Sequence, residues 1–388
     1  MAVSLLACGR ASIACVCAAL AVGVAGCAAA GTTPSVSGGT LRIYLSVPPG
    51  GATGQPEQDV LAAERLAFQQ AGDKVGRFTI KLVTVQGKEL SYNARSAIED
   101  SSTVAYLGEL APGASADSIG ITNAEDVLQV SPTDTALELT ESSAAVPGSP
   151  DVYYEALGTY GRTFARVVPT DRLEAKALVG EMEALGVKKL YVTGDGSAYG
   201  KALALALTND AYPSITVVPS ESGADAVFYA GSSTTGAVST FNQAAAANPG
   251  VKLFAPSALA DDAFVAALSP AAQRSTIISS PGFTAADLPA QGRQFVAAFR
   301  AKYGHAPASE AIFGYEAMAA VMAVLREAGS GADNRGTVVS DFFHIKNRSS
   351  VLGTYSIDSN GDTNIAPFVF SRVRGGTLTP YKAVQAQG

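Results

Sequence analysis

The side chains best placed to do chemistry in this chain are hydroxyls and carboxylates on turns, because histidine and usable thiol are almost absent. Residues 131–135 (SPTDT) follow a short apolar run at 127–130 that reads as a β-strand. That places Ser131, Thr133, Asp134 and Thr135 just past a strand's carboxyl end, where α/β sheets bind ligands. The same hydroxyls can instead serve as helix caps. The two histidines, His305 and His344, stand in no metal-ligand spacing: His305 falls in a loop after a helix, and His344 in a partly buried stretch. A Ser–His–Asp triad or a zinc site is hard to assemble from them. Asp358, Asn360 and Asp362 mimic part of a calcium loop, but its Gly and distal Glu are misplaced. Asn360 and Gly361 read better as a tight hairpin turn. The glycine-rich stretch 194–200 (GDGSAYG) fits neither dinucleotide spacing nor a hydrolase elbow. These residues predict a binding protein with no catalytic residues, no metal and no cofactor.

The amino terminus reads as an export signal. Arg10 precedes an apolar run at 11–24, followed by Ala25, Gly26 and Cys27. The run has about 14 residues, short of the roughly 20 that span a bilayer. Residues 24–27 (VAGC) resemble a bacterial lipobox, so residues 1–26 are expected to be removed and Cys27 to carry a lipid. All four cysteines (Cys8, Cys15, Cys17, Cys27) lie in this segment, so cleavage leaves one and excludes internal disulfides. The small polar residues 27–39 read as a flexible tether. The mature chain of about 360 residues, with a charge near −8 after loss of Arg10, has no basic patch and is not expected to bind nucleic acid. No second apolar run spans a membrane, so the expected location is the extracytoplasmic face of the cell membrane, held by the lipid.

From residue 40 onward, β-rich runs alternate with amphipathic helical ones, the pattern of α/β units with mostly parallel sheets. Strands are expected at 41–46, 78–85, 104–107, 127–130, 188–193, 215–218, 226–229 and 251–255. Helices are expected at 57–71, 91–100, 115–125, 172–185, 199–209, 239–247, 261–268, 290–303 and 310–328. The end reads as an antiparallel pair, 353–357 with 368–373, joined through residues 358–362. Only seven residues, 219–225, separate two expected parallel strands, where a crossover normally takes a dozen or more. Either a helix is missing there or the strand at 215–218 is misassigned.

Six phrases in order resemble the type I periplasmic binding proteins, specifically the branched-chain amino-acid-binding subgroup of ABC importers. They are 130–140 (VSPTDTALELT), 162–171 (RTFARVVPTD), 186–195 (GVKKLYVTGD) leading to Tyr199 and Gly200, Phe295 and Val296 leading to Tyr303 and Gly304, 315–320 (YEAMAA), and 357–362 (IDSNGD). The resemblance implies two lobes, 40–168 with 283–348 and 169–282 with 349–388, each a mostly parallel sheet flanked by helices. Three crossings are implied near 168–171, 280–283 and 348–353, with hinge closure around a ligand. It also implies a monomer that delivers an amino acid or amide-like ligand to an ABC permease. The other reading is a lipoprotein that senses a ligand and signals to a receptor.

The resemblance further places a ligand carboxylate against N–H groups and hydroxyls of the first lobe, with Thr133 and Thr135 on the family's contact positions. The family's serine falls nearest Pro112, leaving Gly113 and Ser115 as approximate substitutes. From the second lobe, Asp171 is implied to take a ligand ammonium and Tyr199 to pack on its side chain. The family's second-lobe aromatic falls on Ser232, and its acidic partner for the ammonium falls on Ala258. That loss leaves Asp134, Asp171, Asp261 or Asp262 to compensate, because a buried ammonium needs a partner.

Overall fold

In a computed structural model, whose described residues are 33–52 and 54–386, two sheets organise the chain. The signal and lipidation readings at residues 1–32, Cys27 included, lie outside the described residues. The first sheet contains β1 (Thr40–Ser46), β2 (Lys74–Val75), β3 (Phe78–Val85), β4 (Thr103–Leu107), β5 (Leu128–Ser131) and β6 (Phe164–Arg166). Their order is β2-β3-β1-β4-β5-β6, parallel except for the β2 pairing. Every residue of β4 and β5 is buried, the mark of parallel strands covered on both faces. The intervening helices are α1 (Gln55–Ala71), α2 (Leu90–Glu99), α3 (Ile119–Asn123) and α4 (Leu157–Tyr160). The helix expected over 115–125 is split, with a 3-10 turn at Ala114–Asp117 ahead of α3.

The chain then enters the second sheet through α5 (Asp171–Ala184). Further helices α6 (Ala198–Ala211), α7 (Thr234–Ala247), α8 (Asp262–Ala267) and α9 (Pro270–Ser275) accompany β7 (Lys189–Gly194), β8 (Thr216–Val218), β9 (Ala226–Ala230), β10 (Lys252–Ala255) and β11 (Thr276–Pro281). It returns through α10 (Ala290–Tyr303), α11 (Ala311–Ala328) and α12 (Arg335–Phe343), whose Phe299, Phe313 and Val338 join the core of Leu41, Ile43 and Val104 under the first sheet. A small hairpin, β12 (Arg348–Ser350) with β13 (Gly353–Tyr355), precedes β14 (Pro367–Arg374) and β15 (Thr377–Gln385). The second sheet has the order β15-β14-β11-β10-β9-β7-β8. Among the described residues, no helix is long and apolar enough to cross a membrane.

The short connection at residues 219–225 is resolved by strand length. β8 pairs parallel with β7 from Lys189↔Thr216 to Tyr191↔Val218, and β9 begins on the other side of β7 at Leu190↔Ala226. The strand at this edge is therefore real and the crossover helix is absent. Because β8 has three residues, the chain must step back only one residue level before re-entering the sheet. Seven residues suffice.

Three expectations at the ends are corrected. The carboxyl-terminal hairpin joins β14 to β15 through Gly375 and Gly376, both at positive φ, which matches the primed turns that suit a strand pair's twist. The turn at 358–362 exists, but it leads from the β12–β13 hairpin into β14. Val351, Leu352, Tyr355 and Ile357 pack in the first core. Glu316 of α11 holds them by accepting from Arg348 Nε (2.6 Å) and Tyr355 Oη (2.9 Å). The last crossing thus runs through residues 358–366, not 348–353. Finally, the described part of the expected tether is docked: Val36 is buried in the first core, its N–H donates to Asp333 O, and Arg335 N–H donates to Pro34 O.

Glu64 of α1 is fully buried, and neither carboxyl oxygen has a partner. Burial pushes its carboxyl well above the usual range; Arg65 opposes this and Glu109 adds to it. The folded state therefore holds a proton that the unfolded chain releases, so stability falls as pH rises above the ordinary glutamate value. Replacing Glu64 by Leu is expected to stabilise the fold by about 1–3 kcal/mol. Thermal unfolding should show that gain growing from about pH 5 to about pH 8. A gain independent of pH would contradict this account.

Candidate functional site

The turn leaving β5 is fixed by hydrogen bonds at nearly every atom. Ser131 Oγ donates to Glu109 O (2.6 Å) and accepts from Asp134 N–H (2.8 Å). Thr133 Oγ1 donates to Leu110 O (2.7 Å). The Asp134 carboxylate accepts from Gly113 N–H (2.6 Å), Ser115 N–H (2.8 Å) and Ala136 N–H (3.2 Å). Burial raises the Asp134 carboxyl above its ordinary value, and these donors and the neighbouring Arg166 offset only part of the rise.

Arg166, at the end of β6, is wholly buried beneath this turn. Its Nη1 donates to the carbonyls of Asp134 (2.9 Å) and Ala136 (2.8 Å), its Nη2 donates to the Thr140 hydroxyl, and its Nε meets Asp362 Oδ1 at 2.7 Å. Asp362 also accepts from Thr140 Oγ1 (2.8 Å). Asp358 Oδ1 is taken by the N–H groups of Asn360 and Asp362, so this turn presents Asp362 to Arg166. Among the described residues, no group of three His, Cys, Asp or Glu side chains has the arrangement of a metal site. Gly361 sits at φ +90°, and a Cβ there would lie 2.3 Å from Phe164 O, so only glycine fits.

Of the residues singled out from sequence, five converge where the lobes meet. Ser115 is buried; its Oγ accepts from Glu109 N–H (3.1 Å) while its own N–H serves Asp134. Thr133 faces a cavity between the lobes. Thr135 O accepts from Asp171 N–H (2.9 Å) as α5 begins. Tyr199 of α6 reaches the same seam, its Cβ 3.4 Å from where a Cβ on Gly113 would stand. Thr135 Oγ1, both Asp171 oxygens, Glu138 Oε2 and Tyr199 Oη are buried and make no well-formed hydrogen bond, although Thr135 and Glu174 lie close enough to Asp171 to act on its carboxyl. Burial and then Glu174 push the Asp171 carboxyl well up; burial pushes Glu138 up to about 7. Ser232 is the exception. It is exposed on the turn before α7, and its N–H donates to Asp195 (2.8 Å). His344, expected to be partly buried, is exposed as well.

The cavity has a volume of about 170 Å³. The first lobe contributes Gly54, Leu110, Pro112 and Thr133, and the second contributes Ser257, Ala258 and Asp261. Glu310, just before α11, supplies a carboxyl that burial, Glu174 and Glu57 together push up to about 8. Ala258 lines the cavity and offers no charge. Asp261 caps α8 through Ala263 N–H, while Asp262 turns away to accept from Leu378 N–H (2.8 Å). Behind Ser257 lies Glu174, which accepts from Ser257 N–H (2.7 Å), Ser257 Oγ (2.9 Å) and Ser279 Oγ. Among the described residues lining the cavity there is no Lys, Arg or His. Glu310 and Glu174 were missed in sequence, where they read only as ordinary helix residues.

Residues 206–377 match the family model for periplasmic binding proteins. A leucine-binding protein from Thermotoga maritima is 19% identical with a TM-score of 0.71, covering 89% of this chain and 98% of that one. This is the type I periplasmic-binding-protein fold. An ABC transporter substrate-binding protein from Desulfitobacterium hafniense, solved with leucine, is 19% identical with a TM-score of 0.70 over 88% of this chain and 100% of that one. A solute-binding protein from R. palustris, solved with benzoate, is 18% identical with a TM-score of 0.68 over 90% and 97%. No curated protein matches the sequence. In the periplasmic-binding-protein fold of this chain, Arg166 fastens the first lobe's turn to the last crossing. Arg166→Met is expected to cost about 3–5 kcal/mol, because it strands the buried Asp362 carboxylate. Chemical denaturation checks this, and a loss below about 1 kcal/mol would be that of an exposed pair.

Proposed function

We propose that this chain is the solute-binding component of an ABC importer, held at the extracytoplasmic face of the membrane by a lipid on Cys27 and catalysing no reaction. The carrying observation is the cavity at the meeting of the two sheets, lined from both sides and placed past the carboxyl ends of β5 and β10. That is where ligands of open α/β sheets bind. Proteins of the same fold bind leucine or benzoate in their own structures, in support of a small polar ligand here. The two lobes, 40–168 with 283–357 and 169–282 with 367–386, would move about the crossings at 167–170, 282–283 and 358–366. Closing traps the ligand and gives a permease a way to tell loaded from empty protein. Thr133, Thr135, Ser115, Asp171 and Tyr199 form the meeting surface, whereas Ser232 stands outside it.

Two measurements test this reading. The purified protein is screened by thermal shift against amino acids, amides, amines and aromatic carboxylates. A ligand at one hundred times its Kd adds about 2.7 kcal/mol of stability, so one chemical class should raise Tm clearly, and no shift with any class would count against a binding role. Separately, Cys27→Ser is expected to move the protein from the membrane to the soluble fraction of cells. Unchanged membrane association would remove the lipid anchor from the proposal.

A further inference from the structure

The chemistry of the cleft narrows the ligand further, on the premise that the cleft is the binding site. We infer that it takes a small organic cation, an amine without a carboxylate, with Glu310 as the partner of its ammonium and the Asp134 side chain filling the anion cradle of the first lobe. The N–H groups that converge at this turn, from Gly113, Ser115 and Ala136, are an arrangement suited to an anion. All three already donate to Asp134, at 2.6, 2.8 and 3.2 Å. The Thr133 and Ser131 hydroxyls are also committed, to Leu110 O and Glu109 O. An incoming carboxylate therefore finds its donors occupied by a fixed carboxylate of the protein.

The remaining groups favour positive charge. Glu310 and Asp261 line the cavity, Glu174 lies behind Ser257, and no basic side chain lines it among the described residues. An ammonium brings three donors and no acceptor, which suits a cavity whose charged lining, among the described residues, is carboxyl only. Ala258 holds no charge, so the ion partner comes from the segment before α11.

The test is calorimetric titration and thermal shift of the full chain with four probes: 1,4-diaminobutane and butylamine as cations, leucine as zwitterion, and benzoate as anion. The amines are expected to bind and raise Tm, and leucine and benzoate are not. Binding of leucine or benzoate in preference to the amines overturns the inference and leaves the solute-binding reading standing; binding of none overturns both. Glu310→Gln is expected to weaken amine binding at least tenfold while leaving the empty protein as stable as before or more so. Unchanged affinity would remove Glu310 from the site. Glu310 is faced by Glu174 from α5, Glu57 from α1 and Asp261 ahead of α8, and burial with the first two pushes its carboxyl up to about 8. Amine binding below that pH should release a proton, seen as a dependence of binding enthalpy on buffer ionisation, and affinity should rise from pH 6 to pH 8. A pH-independent affinity would contradict the assignment.

Discussion

One buried guanidinium organises this molecule. Arg166 has no exposed surface, and its bonds run to three separate stretches of chain: the Asp134–Ala136 turn, Thr140, and Asp362 in the last crossing. A charge in such a place is tolerated only when it is hydrogen-bonded and an opposite charge is present. Four hydrogen bonds, one of them to the Asp362 carboxylate, meet both conditions with residues up to 196 positions away in sequence. The cost of failing to satisfy Arg166 therefore becomes a constraint on tertiary structure. The cleft turn cannot shift without disturbing the strand below it and the crossing beside it.

Above that fixed base the electrostatics run the other way. The cleft collects carboxyl groups faster than it collects partners for them, and desolvation keeps several of them protonated more readily than carboxyls in water. For Asp134 three backbone N–H groups offset part of this, and for Glu174 donors from Ser257 and Ser279 do, yet burial still holds both carboxyls above the ordinary value. Asp171 and Glu138 lack such a set of donors. Buried carboxyls of this kind lower the stability of the fold around the cleft.

Much of the architecture was legible in the sequence because it follows from local rules. Period-two runs at 78–85 and helical periodicity at 290–303 gave bounds that match β3 and α10. The three-residue β8 was also found, although its crossover seemed impossible until its length was known. The hairpin partner of β14 was misjudged because Asn360 and Gly361 carry a strong turn signal, while Gly375 and Gly376 carry an equal one further on. The helix at 115–125 is divided at Ser118, and the N–H groups of Gly113 and Ser115 turn to Asp134, nineteen residues on from Ser115. No local pattern encodes that. Of the residues named through resemblance, Thr133, Thr135, Asp171 and Tyr199 gather where the lobes meet, and only Thr133 of these lines the cavity. Glu310 and Glu174 were invisible because what matters in them is desolvation, a property of the folded surroundings. Ser232 was placed by position in a motif and lies on an exposed turn.

The three-residue strand at the edge of the second sheet has a consequence for how copies of this protein meet along that edge. An unpaired sheet edge is a template on which another chain can add by backbone hydrogen bonding. β8 is too short to offer more than a few such bonds, and Pro219 follows it directly. By shortening this edge instead of covering it with a helix, the fold exposes Val217 yet leaves little ladder to extend. The missing helix and the safe edge are one economy: a strand short enough to need no crossover is also too short to recruit a neighbour.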